Sequence, residues 1–238
     1  MTVAQLLLAS GAVALGALVQ GSVGFGASLV AAPLLVLVRP DLVPGPISVC
    51  FPILSVLVLV RDRRHAELGA LRWSVLGLVP GAALAAVAIA VLPAHGIEAL
   101  VAILILLAVA ASVSGVEVEP GPATLTAAGG LSGFMGTAAG PSGPPMALLH
   151  QRTSGPELRA TLARFFVASS VISIVALLPT GRLGPDDAWH GLLLVPAVLL
   201  GYAGSHLLLD HVDRGRTRIA VLFLSTASAA VVLVKALA

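Results

Sequence analysis

The 36 residues from Val3 to Val38 carry no charged side chain. That is too long for one membrane span, which takes about 20 apolar residues. The run is also interrupted. GSVGFGASLVAAP, Gly21 to Pro33, sets three glycines and a proline inside it. Both residue types interrupt helices, and a bilayer tolerates broken backbone only where protein or a polar cavity surrounds it.

The rest of the chain has the same character. Of its 238 residues 58% are hydrophobic and 10% charged, against roughly 25% charged in soluble domains. A single polytopic membrane domain, residues 1–238, is the reading this supports. A net charge of +2 gives no ground for a nucleic-acid partner. The one cysteine, Cys50, lies in an apolar run and reads as a packed core residue. No basic segment precedes the first apolar stretch, so residues 3–20 read as a retained helix rather than a cleaved signal.

Further spans are predicted at 46–60 (reaching back toward Leu42), 71–92, 97–115, 160–178, 189–209 and 218–237. Residues 124–150 form a second interrupted region, broken at GFMGTAAGPSG, Gly133 to Gly143. A shift of 112 lays Gly21 on Gly133, Gly24 on Gly136 and Pro33 on Pro145. A shift of 116 lays WSVLGLVPGAAL (73–84) on WHGLLLVPAVLL (189–200), matching Trp and Pro in register. These shifts predict an internal repeat, about 1–115 against 120–238, joined by the loop Val116–Pro122.

Charge placement selects the topology. If each interrupted region is one continuous span, Lys and Arg divide six against seven between the two sides. If each enters and returns as a hairpin, ten fall on one side and three, Arg39, Arg182 and Lys235, on the other. The second division obeys the positive-inside rule. Each half is then a hairpin plus three spans, an odd count that inverts the second half, as in secondary transporters. An all-α, multi-pass inner-membrane protein with both termini on the periplasmic or extracellular side is predicted. The 27 residues of the second hairpin would give two arms of about 13, roughly 20 Å each, so re-entrant hairpins meeting near the midplane are favoured over full crossings.

A helix that begins at such a tip offers free N–H donors and a partial positive charge, suited to a small anion. The candidate binding residues are Gln20, Gly21, Ser22, Gly24, Phe25, Gly26, Ser28 and Pro33 in the first break. In the second they are Gly136, Thr137, Gly140, Ser142 and Pro145. Arg164, about two turns into its span, is an added candidate as an anion-attracting charge at the inner vestibule, or else a side chain that snorkels to the interface.

GALVQGSVGFGASLVAAPLLV resembles the N-terminal signature of the TauE/SafE family, the sulfite exporter group, and GGLSGFMGTAAGPSGPPMALL resembles its second copy. The resemblance implies a secondary carrier of sulfite, organosulfonates or similar small anions, working by alternating access without a cofactor or metal. Its partners would be the substrate and the bilayer, with room for homo-oligomers.

GPSG, Gly140 to Gly143, supports a second class, an intramembrane serine protease pairing Ser142 with His206. Its remaining signature elements are missing. His150 and His206 sit near predicted helix ends, where packing is the expected role. No HxxxH pair, carboxylate cluster or phosphate-binding loop supports a metal site or an ATPase. No Asp or Glu lies deep in a predicted span, so no carboxylate proton relay is visible; transport would follow the anion gradient, or the substrate would carry its own proton.

Overall fold

A computed structural model describes residues 1–65, 71–113, 118–150, 153, 155–181, 183–208 and 230. Among these the chain is helical, with no strand. Ten helices follow in order: α1 (Val3–Val23), α2 (Ala27–Val38), α3 (Gly45–Asp62), α4 (Leu71–Val91), α5 (Ala94–Val113), α6 (Pro122–Ala139), α7 (Gly143–Leu149), α8 (Gly155–Leu177), α9 (Pro185–Leu193) and α10 (Val195–Leu208). Among the described residues five segments are long and apolar enough to cross a membrane: Val3–Val23, Gly45–Asp62, Leu71–Val91, Gly155–Thr180 and Pro185–Leu207. The predicted span 218–237, apart from residue 230, falls outside the described residues.

Local chemistry sets the helix ends. Thr2 and Gln5 form a capping box that starts α1: Gln5 N–H donates to Thr2 Oγ1 at 3.2 Å and Thr2 N–H to Gln5 Oε1 at 3.0 Å. α1 stops at Gly24, whose φ of 106° is left-handed, and Gly26 repeats the conformation at 108° before α2 begins. α6 starts on Pro122, where a missing N–H costs nothing, and stops at Gly140 with φ of 95°.

Two expectations need correction here. The second hairpin does not divide into equal arms: α6 has 18 residues and α7 only 7. The prolines at 144 and 145, in the first turn of α7, allow a helix to start but not to extend backward. The glycines also differ from the expected register. The left-handed glycine that ends α6 is Gly140, not Gly136, and it lies 116 positions after Gly24, the offset between the two Trp/Pro segments. Of the glycines that the shift of 112 matched, Gly133 packs against α4 and Gly136 lies against Ser142.

The packing explains those glycines. α6 lies along α4, where a Cβ on Gly77, Gly81, Gly129 or Gly133 would run into backbone carbonyls of the facing helix. Small residues at these positions let the two backbones touch, the usual basis of helix association in lipid. α1 pairs with α10 in the same way, with Gly201 against Ala14 and Ala17, and α3 packs against α8. Many large side chains of α4 point outward instead, with Leu76, Val79, Leu84 and Val87 all exposed, while Ser74 and Ala85 are buried together with Leu78 and Ile89. Small residues inside and large apolar ones outside suit a lipid surround. Cys50 is fully buried in the core, as expected.

Candidate functional site

The two breaks meet in space. A Cβ built on Gly140 would lie 3.0 Å from Ser28 Oγ, and one on Gly143 would lie 3.0 Å from the Phe25 Cβ. Beside this contact are two small cavities of about 40 and 50 Å³, each large enough for a few water molecules or one small ion. Ser28, Phe51, Gly140, Ser142 and Ser170 line both. Gly136, Ser48, Ser169 and Ser173 line the smaller one. Gln20, Gly26 and Ser55 line the larger.

The predicted residues therefore separate. Gln20, Gly26, Ser28, Gly136, Gly140 and Ser142 come together around the cavities. Thr137 stands just behind them, its hydroxyl 2.7 Å from that of Ser173. Gly21, Ser22, Gly24, Phe25, Pro33 and Pro145 line neither cavity. Ser22 donates back to the Leu18 carbonyl at 2.8 Å. Gly21 packs against Ser205, and its carbonyl accepts from Arg61 Nη2 at 2.7 Å. Pro33 and Pro145 are buried inside α2 and α7. Arg164 lies apart, in a crevice with His150, Ser74 and Phe165, its Nη2 3.5 Å from the Arg63 carbonyl.

The two breaks differ in what they present. Ala27, Ser28 and Leu29 form the first turn of α2 and line the larger cavity, and their N–H groups lack partners within the helix. Pro144 and Pro145 occupy the same turn of α7 and have no N–H. The Ser142 N–H is already donated to the Gly140 carbonyl at 2.9 Å. The expected pair of equivalent donor-bearing helix starts is thus one such start facing a hydroxyl-bearing turn.

Helices α3 and α8 complete the wall with residues that sequence reasoning missed. Ser48, Phe51, Pro52 and Ser55 share one face of α3, and Phe166, Ser169, Ser170 and Ser173 share one face of α8 at the same spacing. The signal was present: serines three, four and seven positions apart in otherwise apolar spans mark a polar stripe. One serine on each of α3 and α8 also meets the last turns of the long helix before a break, α1 or α6. Gln20 Nε2 lies 3.5 Å from Ser55 Oγ, and Thr137 bonds Ser173.

A second cluster also escaped the sequence reading, which treated its arginines only as topology signals. Asp62 accepts from Arg61 at 3.0 Å and from Arg159 Nε at 2.9 Å. The Arg61 guanidinium lies 5.5 Å from the centre of the Tyr202 ring, and Tyr202 donates to the Leu57 carbonyl at 3.1 Å. The cluster therefore ties together α1, α3, α8 and α10 beside Gly21 and Gly24.

The match to known sequences can be set against this geometry. The family model described as sulfite exporter TauE/SafE matches residues 8–232, nearly the whole chain. The chain belongs to the TauE/SafE family. Neither the curated proteins nor the solved structures compared contain a match. Family membership makes this a membrane transporter with a small-anion substrate, and nothing favours the protease alternative. In this TauE/SafE protein His206 is exposed, turned onto Tyr202 with its Nδ1 3.0 Å from the Tyr202 carbonyl, and it lines neither cavity that Ser142 lines.

Proposed function

We propose that this TauE/SafE protein is a secondary carrier of sulfite or related sulfur oxyanions, bound in the serine-lined cavities where the two breaks meet. The observation that carries this reading is the convergence of Ser28, Ser142 and Ser170 on both cavities, with the first turn of α2 lining the larger. Hydroxyls and N–H groups stabilise an anion by short, directed hydrogen bonds. They avoid the cost of a fixed cation in the membrane when the site is empty. The binding residues are then Gln20, Gly26, Ser28, Gly136, Gly140 and Ser142 from the breaks, with Ser48, Ser55, Ser169, Ser170 and Ser173 from α3 and α8. Gly24 and Thr137 support the backbone, and Arg164 belongs to the interface.

Alternating access between two inverted halves is the mechanism we assign. Three features support it. The breaks share an offset of 116 with the Trp/Pro segments. α1 packs on α10 while α6 packs on α4, and α3 packs on α8, an exchange of partners that a two-fold relation between halves produces. Asp62 and Arg159 join the halves across their interface. In this mechanism that ion pair holds the arginine-rich side closed, and its release opens a path to the cytoplasm. The protein would sit in the inner membrane with both ends outside the cytoplasm.

The test is sulfite flux in proteoliposomes. Flux above protein-free vesicles that falls at least about tenfold in Ser28→Ala/Ser142→Ala supports the assignment, since each lost hydrogen bond to a charged group is worth about 1.5–3 kcal/mol. No flux from folded wild-type protein, or undiminished flux in the double variant, overturns it.

A further inference from the structure

The cavities lack any ionised side chain. Among the described residues that line them there is no Asp, Glu, Lys, Arg or His. The described ionisable groups on the helices around them are Arg61 and Asp62 on α3 and Glu157, Arg159 and Arg164 on α8, and none of these lines either cavity. The polar wall is made of hydroxyls, with Ser142 and Ser169 at 9% and 4% exposure, together with the Gln20 amide at 7%.

Such a wall treats anions unequally according to their charge. The cost of removing an ion from water grows with the square of its charge, whereas its attraction to neutral donors grows only in proportion. Neutral donors that suffice for a single charge therefore fall short for two. These groups also accept. A hydroxyl has lone pairs and an amide has its carbonyl, whereas Lys and Arg have nothing to offer a proton. Gln20 commits Nε2 to Ser55, which leaves Oε1 with no partner among the described residues.

We infer that the site takes its substrate as a monoanion that still holds a proton, an oxyanion of the hydrogen sulfite type, and rejects doubly charged oxyanions. The O–H of the substrate donates to Gln20 Oε1 or to a serine, while its remaining oxygens accept from Ser142, Ser170 and the first turn of α2. The proton then crosses on the substrate, and the transport step needs no carboxylate relay. This rests on the anion site proposed above.

The experiment is binding by titration calorimetry to the purified full-length protein at constant ionic strength, across the pH range in which hydrogen sulfite loses its proton. Four probes are compared: sulfite, sulfate, thiosulfate and methanesulfonate. Sulfate and thiosulfate stay doubly charged throughout, and methanesulfonate stays singly charged with no proton to give. The expected result is that affinity for total sulfite falls about tenfold per pH unit once the proton is lost. Methanesulfonate should bind more weakly than hydrogen sulfite and independently of pH. Sulfate and thiosulfate should bind at least about 100-fold more weakly than hydrogen sulfite. Gln20→Leu should narrow the gap between hydrogen sulfite and methanesulfonate, because it removes the Oε1 acceptor, and the Nε2 lost with it is turned to Ser55 rather than to the ligand. Sulfate as tight as hydrogen sulfite, sulfite affinity that does not fall with pH, or methanesulfonate falling in parallel each overturn the inference while leaving an anion site in place. Failure of every anion to bind strikes the transport assignment itself, and this inference with it.

Discussion

The breaks at Gly24–Gly26 and Gly140–Ser142 both end a long helix on a left-handed glycine but present different chemistry. The first uses two left-handed glycines around Phe25 and ends in a helix start whose N–H groups are free. The second uses one left-handed glycine, then Pro141, Ser142 and two prolines that remove N–H groups. One break therefore presents backbone donors and the other side-chain hydroxyls. A left-handed turn needs only glycine, whereas the ligand wall is shared and can be supplied from either half.

The largest effect is expected at Gly140, which borders both cavities. Gly140→Val forces a branched residue into positive φ, at a cost on the order of 1–3 kcal/mol, and drives its side chain into Ile47 and Ser28. Anion affinity should drop by at least about 100-fold, measured by calorimetry on protein that still purifies as a folded species. Gly24→Val suffers the same backbone strain, but its side chain meets Arg159 outside the cavities, so its loss of affinity should be smaller. Equal losses would mean that the two breaks act alike, contrary to the difference drawn here.

The hydroxyls come next. Ser142→Ala and Ser28→Ala should each weaken binding by about 10- to 100-fold, the value of one hydrogen bond to a charged group. Ser142→Ala should cost more, because Ser28 lies in a turn that also offers N–H groups. A larger loss at Ser28 would reverse the assignment of donors to the two breaks.

Asp62→Asn should change affinity by less than about threefold but lower the melting temperature, because Arg61 and Arg159 lose a shared carboxylate in a mostly buried setting. In proteoliposomes the same variant should raise leak through the arginine-rich side. An unchanged melting temperature and unchanged flux would remove Asp62 from any closing role.

The smallest effect is expected at Asp41, on the opposite end of α3. Burial works to raise its pKa, but the hydrogen bond and charge of Arg39 outweigh this and hold the carboxyl below its ordinary value. A depressed folded pKa contributes stability above the unfolded value and loses it as pH falls through the folded one. The wild type should therefore exceed Asp41→Asn in melting temperature at neutral pH, by no more than about 1 kcal/mol of stability. The difference should vanish in acid. A difference that persists or grows in acid would show that another group sets it.

Much of the fold was legible because lipid narrows the choices. Apolar length marked α3, α4, α5 and α8, and the glycine clusters marked both breaks. The repeat register misled because α6 carries two kinds of glycine. Gly129 and Gly133 allow α4 to approach, while Gly140 turns the chain, and composition alone does not tell these apart. The prolines at 144 and 145 announced a helix start without donors, a consequence readable from the sequence but not drawn. The wall serines were hidden because single hydroxyls in a membrane helix also bond their own backbone, as Ser48 and Ser55 do. Only the meeting of α3 with α8 shows which of them border a cavity. Asp62 and Arg159 are 97 positions apart, and nothing local predicts that they pair.

The anion's position is the central claim, and it can be located directly. Selenite is a close analogue of sulfite whose selenium scatters anomalously. A structure of the protein with selenite bound should show one anomalous peak between Ser28 and Ser142, with its oxygens within hydrogen-bonding distance, about 2.5–3.2 Å, of those hydroxyls and of the first turn of α2. A dominant peak beside Arg164, at the Arg61–Arg159 cluster, or anywhere outside the two serine-lined cavities would contradict it.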